Sequence, residues 1–245
     1  MRSSAPIRYR FVLRFAAFLS ALSLLFAVFC ALPPKEELPA QGSAPTLRFS
    51  GRTVILDAGH GGEDGGAVSA DGVFEKDLNL QVTLLVRDLL LANGVSVILT
   101  RDRDVLLYDP SGDYLGHKKE QDLATRLRIA EQVENGIFVS IHMNAFPQTQ
   151  YHGLQVWYSP NDPHSQLLAQ TVQTTVQTHL QPQNARRIKA ASDSIFLLHN
   201  LRSPAILIEC GFLSNPSEAA LLASPSYQQQ LALLIFLSIM RAETA

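Results

Sequence analysis

The stretch that decides the fold is Thr53-Val-Ile-Leu-Asp-Ala-Gly-His60, which runs straight into Gly61-Gly-Glu-Asp-Gly-Gly66. An apolar run of strand length that breaks into glycines at an imidazole is how an α/β protein presents a reactive side chain at a sheet edge. Two further stretches repeat the arrangement. Ile137-Phe-Val-Ser-Ile-His142 is again apolar and again ends in histidine, and Pro204-Ala-Ile-Leu-Ile-Glu209 ends in a carboxylate. Three buried strands thus each deliver a ligand-type side chain at the carboxyl end, the edge where open parallel sheets bind their ligands.

Between these strands the pattern changes to helical spacing. Leu78, Leu80, Val82, Leu85, Val86, Leu89 and Leu90 predict a helix from Lys76 to Ala92, stopped by Asn93-Gly94. Helices are also expected over Asp122 to Glu134, Ser165 to Leu180, Glu218 to Leu222 and Tyr227 to Arg241, and strands over Val95–Thr100 and Leu154–Tyr158. Alternation of this kind predicts an α/β fold: a single domain built on an open, mostly parallel twisted sheet with helices on both faces. Asp102 to Gln121 is polar and without period, and is read as a groove rim.

The N-terminal region differs in kind. Arg2, Arg8, Arg10 and Arg14 precede or enter an 18-residue apolar run, Phe15 to Leu32, with Pro33-Pro34 and a polar stretch after it. Positive charge ahead of an apolar segment directs export of the downstream chain. The run approaches the ~17–25 residues needed to span a bilayer, and no small-residue cleavage site is visible, so an uncleaved anchor is favoured over a cleaved signal peptide. The expected division is residues 1–32 as signal or anchor, 33–51 as linker, and 52–245 as catalytic domain in an extracytoplasmic setting. A net charge of −2 excludes a bulk basic field for nucleic acid. Cys30 and Cys210 are the only cysteines, and with one in the apolar segment no disulfide framework is expected. Side-chain alternation turns Cys210 to the sheet face opposite Glu209, as a small buried residue.

The strand ends suggest a metal centre. Zinc accepts imidazole and carboxylate ligands, and a catalytic site keeps three protein ligands and one open position. His60 and His142 are the imidazole candidates. Asp57, Glu63, Asp64 and Glu75 all lie near His60, and Glu75 fits best: it opens a helix, and the flexible glycine loop can fold back to bring it beside His60. Glu209 is then free to act as general base and acid, giving amide hydrolysis without a covalent intermediate. A phosphate-binding turn is the competing reading of the glycine loop, disfavoured because Glu63 and Asp64 would repel an anion. His117, His152, His164, His179 and His199 are read as surface or packing residues, with His152, just ahead of Gly153 at a strand start, closest to a role.

Together, Val54-Ile-Leu-Asp-Ala-Gly-His-Gly-Gly-Glu-Asp-Gly-Gly-Ala67, Glu75-Lys-Asp-Leu-Asn-Leu80, Thr100-Arg-Asp102, Ser140-Ile-His-Met-Asn-Ala145 and Glu209-Cys-Gly-Phe-Leu-Ser-Asn215 resemble the zinc-dependent N-acetylmuramoyl-L-alanine amidases of the Amidase_3 family, over residues 52 to 241. The resemblance implies one zinc ion per chain held by His60, Glu75 and His142, with Glu209 as the catalytic glutamate. Asn144 and Arg126 are weaker candidates for substrate contact. It further implies cleavage of the bond between the lactyl group of N-acetylmuramic acid and L-alanine in peptidoglycan. The interval from His142 to Glu209 leaves little room for the inhibitory helix that some cell-division amidases insert there. A narrower similarity, carried by the N-terminal segment, Arg186-Arg-Ile-Lys189, Phe196-Leu-Leu198, Lys118-Lys119, Asp122-Leu123 and Arg126, points to the germination-specific amidases of spore formers. That implies a role in cortex maturation and muramic-δ-lactam formation, with a polysaccharide deacetylase acting on the product and the membrane contacted through the N-terminal segment. Another zinc amide hydrolase of the wall (a peptidase or deacetylase), a general autolysin, and an inactive wall-binding module are the competing functions.

Overall fold

The computed structural model describes residues 51–112 and 116–242. Expectations for residues 1–50 therefore lie outside the described residues. Among those described, no helix is long and apolar enough to cross a membrane.

Six strands form one sheet: β1 (Thr53–Ala58), β2 (Val97–Leu99), β3 (Gly136–Asn144), β4 (Gln155–Tyr158), β5 (Lys189–Ala190) and β6 (Ala205–Phe212). Their spatial order is β2-β1-β3-β6-β4-β5. Every pairing is parallel except β4 with β6, so the sheet is mixed but mostly parallel. Among the described residues six helices flank it: α1 (Glu75–Ala92), α2 (Lys118–Glu131), α3 (Pro163–His179), α4 (Phe196–Asn200), α5 (Pro216–Leu222) and α6 (Pro225–Ala242).

Period-2 alternation sorts each strand's side chains between two cores. Val54, Leu56, Val139, Ile141, Ile206, Ile208 and Cys210 face α1, α3 and α6, where Val82, Val86, Val172, Leu231 and Ile235 complete the larger core. Ile55, Phe138 and Ala205 face the other way, against Ala130 of α2 and Leu197 and Leu198 of α4. Cys210 is buried and free. The starts of α3 and α5 carry their own caps: Asp162 and Asn215 accept hydrogen bonds from the first-turn N–H groups, each just ahead of a proline.

The structure departs from the expected boundaries where hydrophobicity carried no signal. β3 and β6 continue past their apolar runs, to Asn144 and Phe212, because each pairs with the other there. The pairing His142 to Glu209 lies inside that extension, with a register shift before Asn144. Irregularities of this type re-aim side chains at sheet rims. β2 is shorter than expected, an edge strand with Ile98 exposed. α2 starts one turn early through the polar run Lys118 to Gln121. β5, two residues long, and α4, five residues long, had no periodic signature.

Ile206 sits fully buried in β6, between β3 and β4. Ile206→Ala should lower unfolding stability by about 2–5 kcal/mol through loss of buried methyls and the cavity left behind. Urea denaturation should show a lower midpoint with an unchanged slope.

Candidate active site

β1 ends at Ala58, and the chain must turn at once. Gly59 makes the turn possible, because a Cβ there would collide with the His142 ring. His60 comes next with φ +61, a conformation uncommon for a side-chain-bearing residue. Arg126 from α2 holds it there. Its guanidinium donates to the carbonyls of Ala58 (2.7 Å) and His60 (2.8 Å) and to the carboxylates of Asp57 (2.6 Å) and Asp122 (2.8 Å). Arg101 adds donors to Ala58 O and Gly59 O.

The glycine loop then doubles back. Gly66 has φ +66, and a Cβ on it would lie 2.5 Å from Glu75 Oε2. This close passage lets the Ala67 N–H donate to Glu75 Oε2 at 2.8 Å. The other oxygen, Glu75 Oε1, receives Met143 N–H (3.1 Å) and Asn79 Nδ2 (3.2 Å), and contacts His142 Nδ1 (2.9 Å) and His60 Nε2 (3.2 Å). The donor atoms of His60, Glu75 and His142 all lie within 4.8 Å of one another, with the imidazoles edge to face. His60 Nδ1 is 2.9 Å from Asp64 Oδ2, an ion-pair contact outside hydrogen-bond alignment. Two imidazoles and one charged carboxylate, converging and braced from behind, fit a divalent metal ion of the zinc type.

This packing sets the electrostatics. For Glu75, burial favours the neutral acid, but the two histidines outweigh it and hold the carboxyl well below its usual range. For His60, burial opposes the charge, yet its contacts with Asp64 and Glu75 raise the pKa to about 9. Glu209 is the opposite case. Burial pushes it up to about 7, with Glu75 adding to the rise and His142 and His60 opposing it. Its Oε2 is shut away from solvent without a hydrogen-bond partner. Glu209 and the two histidines line a cavity of about 250 Å³ that extends to Lys119 of α2 and Phe196 of α4.

The other sequence candidates take different places. Asp57 is buried and turned to Arg126, Thr100 and Ser140. Glu63 is exposed and paired with Lys118. Arg126, expected as a substrate contact, is only 1% exposed and committed to the strand-end carbonyls and the two aspartates. Asn144 is half-buried and lines a separate cleft. His152, the loop histidine closest to a role, is exposed and contacts Gln150 O. The network of Asp57, Thr100, Arg101 and Ser140 was not foreseen. Its members are spread across β1, β3 and the loop after β2, and no local pattern links Thr100 and Arg101 to the histidine motifs.

Fold and site together define an α/β amide hydrolase with a strand-end cluster able to hold a metal ion. Residues 54–241 match the family model described as N-acetylmuramoyl-L-alanine amidase. The chain belongs to that family, and its activity is that of an N-acetylmuramoyl-L-alanine amidase. It is 38% identical over 196 residues to the germination-specific N-acetylmuramoyl-L-alanine amidase of Bacillus subtilis (strain 168), covering 80% of this chain and 81% of that one. Among solved structures it resembles the CwlD amidase from Clostridioides difficile, determined in complex with the GerS lipoprotein, with a TM-score of 0.75 and 39% identity over 78% of this chain and 98% of that one. The amidase AmiC2 of Nostoc punctiforme is also similar, with a TM-score of 0.67 and 30% identity over 79% of this chain and 98% of that one.

Arg126→Met should cost about 3–5 kcal/mol, because it leaves Asp57 and Asp122 buried without their cation. Adding Asp57→Asn should recover part of that loss. Denaturation of the two single variants and the double variant checks the coupling, and strict additivity would argue against it.

Proposed function

We propose that the chain hydrolyses the amide between the lactyl group of N-acetylmuramic acid and L-alanine of the stem peptide by means of one zinc ion held by His60, Glu75 and His142, with Glu209 as the proton carrier. The observation that carries this reading is the contrast between two neighbouring carboxylates. Glu75 is ionised and saturated with contacts, whereas Glu209, paired in register with His142 on the adjacent strand, has a pKa of about 7 and an unpartnered Oε2. Residues whose environments drive their pKa values apart divide the work of acid–base chemistry.

Bound zinc would supply Lewis acidity towards the amide carbonyl and acidify water. The chain's own residues do the rest. The Glu209 carboxylate accepts a proton from the attacking water and returns it to the departing L-alanine nitrogen. Asp64 pairs with the ring of His60, Asn79 and the Met143 N–H fix Glu75, and Arg126 acts as a positioning residue beneath the His60 turn.

The germination-specific relative supports a substrate in the spore cortex. There the product would go on to muramic-δ-lactam after a polysaccharide deacetylase acts. In this reading residues 1–32 tether residues 52–245 to the membrane through the 33–51 linker, outside the cytoplasm.

Glu209→Gln should retain zinc and lose at least about a hundredfold in turnover, the lower range for removing a general base. Release of stem peptides with a free L-alanine amino terminus from purified sacculi measures this, with shortened stems favouring a peptidase instead. Gly66→Ala should weaken zinc binding, read by chelator competition, because its Cβ displaces Glu75. Stability of the chelated protein should also depend on pH. Folding favours the protonated Glu209, so that contribution is present below the ordinary value of 4.5 and is lost as pH rises through about 7. Glu209→Gln should flatten the decline over that window. The separate contribution of His60 is lost only as pH rises from 6.5 through about 9.

A further inference from the structure

A second cleft opens on the same face of the sheet as Glu209, one strand over. In the antiparallel β4–β6 pair, Gln155 stands opposite Glu209 and Trp157 opposite Leu207, and directly opposed side chains share a face. Gln155 and Trp157, with Asn144, Arg186, Lys189 and Phe212, bound a cavity of about 240 Å³.

Phe146 and Tyr151 also line it and are exposed, whereas Trp157 and Phe212 each carry a cation. Lys189 Nζ sits 5.1 Å from the Trp157 ring centre, and the Arg186 guanidinium 4.4 Å from that of Phe212. The rings of Trp157 and Phe212 therefore hold cations. Arg186 is further fixed by donating to His152 O (2.7 Å) and Gln155 Oε1 (3.3 Å). Among the described residues, neither cation has a carboxylate within ion-pair distance. The cavity on the other side of Glu209 differs: its cations, Lys119 and Arg126, are already paired with Asp64, Asp57 and Asp122.

The two arms of the substrate differ in the same way. An N-acetylated glycan strand is neutral, whereas the stem peptide carries free carboxylates beyond L-alanine. We propose that the cleft of Asn144, Gln155, Trp157, Arg186, Lys189 and Phe212 is the stem-peptide subsite, and that Arg186 and Lys189 recognise the carboxylate of the residue after L-alanine. The proposal rests on the amidase reading of Glu209 and the histidines. It assigns the glycan to the α2–α4 side of the site.

The test is calorimetric binding of the tripeptide L-alanyl-γ-D-glutamyl-L-lysine, and of its α-amide L-alanyl-D-isoglutaminyl-L-lysine, to the full zinc-loaded chain carrying Glu209→Gln. The free acid should bind about tenfold more tightly, the scale of one charge-assisted hydrogen bond. Lys189→Ala, a change at an exposed side chain, should reduce that ratio, and Lys189→Arg should preserve it. Arg186→Gln should reduce it further. Equal affinities, no binding of either peptide, or a ratio unchanged in both Lys189→Ala and Arg186→Gln would overturn the proposal. Release of peptides from sacculi separates the two readings. Release without discrimination removes the subsite alone, whereas discrimination without release leaves an anionic-peptide site and removes the amidase assignment of the cleft's neighbour.

Discussion

A single carboxylate oxygen, Glu75 Oε1, gathers a backbone N–H, an asparagine amide and two imidazoles. Burying a charged group is unfavourable unless it is paired and hydrogen-bonded, and here the partners come from the β1 exit, the first turn of α1 and the end of β3. Satisfying that one atom therefore fixes three elements against each other. The second oxygen adds the glycine loop through Ala67. Without a small residue at 66 the loop could not approach closely enough for this to happen.

The neighbouring carboxylate is left poor in contacts by the same construction. Glu209 sits across the β3–β6 pairing from His142, near enough to feel the cluster's charges but with Oε2 out of reach of any donor. One glutamate is locked in its charged form and the other is poised near neutrality. The difference comes from hydrogen-bond supply, since the two side chains are chemically identical and both are shielded from water.

How much of this could be read from sequence depended on the range of each interaction. The strands that carry His60, His142 and Glu209 announced themselves as apolar runs, because buried parallel strands are apolar on both faces. Glu75 was legible as a helix-opening residue beside a glycine loop. Arg126 was not. Its partners Asp57, Ala58 and His60 are more than sixty residues away in the chain, and nothing local marks a guanidinium as buried brace rather than exposed contact. Arg186 and Lys189 read as a small basic cluster, and only the pairing of β4 with β6 and β5 brings them beside Trp157 and Phe212. β5 and α4 are too short for any period to register.

The reversed direction of β4 has a consequence of its own. At a wholly parallel sheet edge, every segment crossing the reactive rim is leaving a strand. Here the segment from 145 to 154 crosses it while entering one, after β3 has already delivered His142. It delivers neither histidine, while its tip, with Phe146 and Tyr151, walls the cleft that holds Asn144 and Gln155. Divergence among such enzymes in what they accept has, in this segment, a place to accumulate that leaves their chemistry intact.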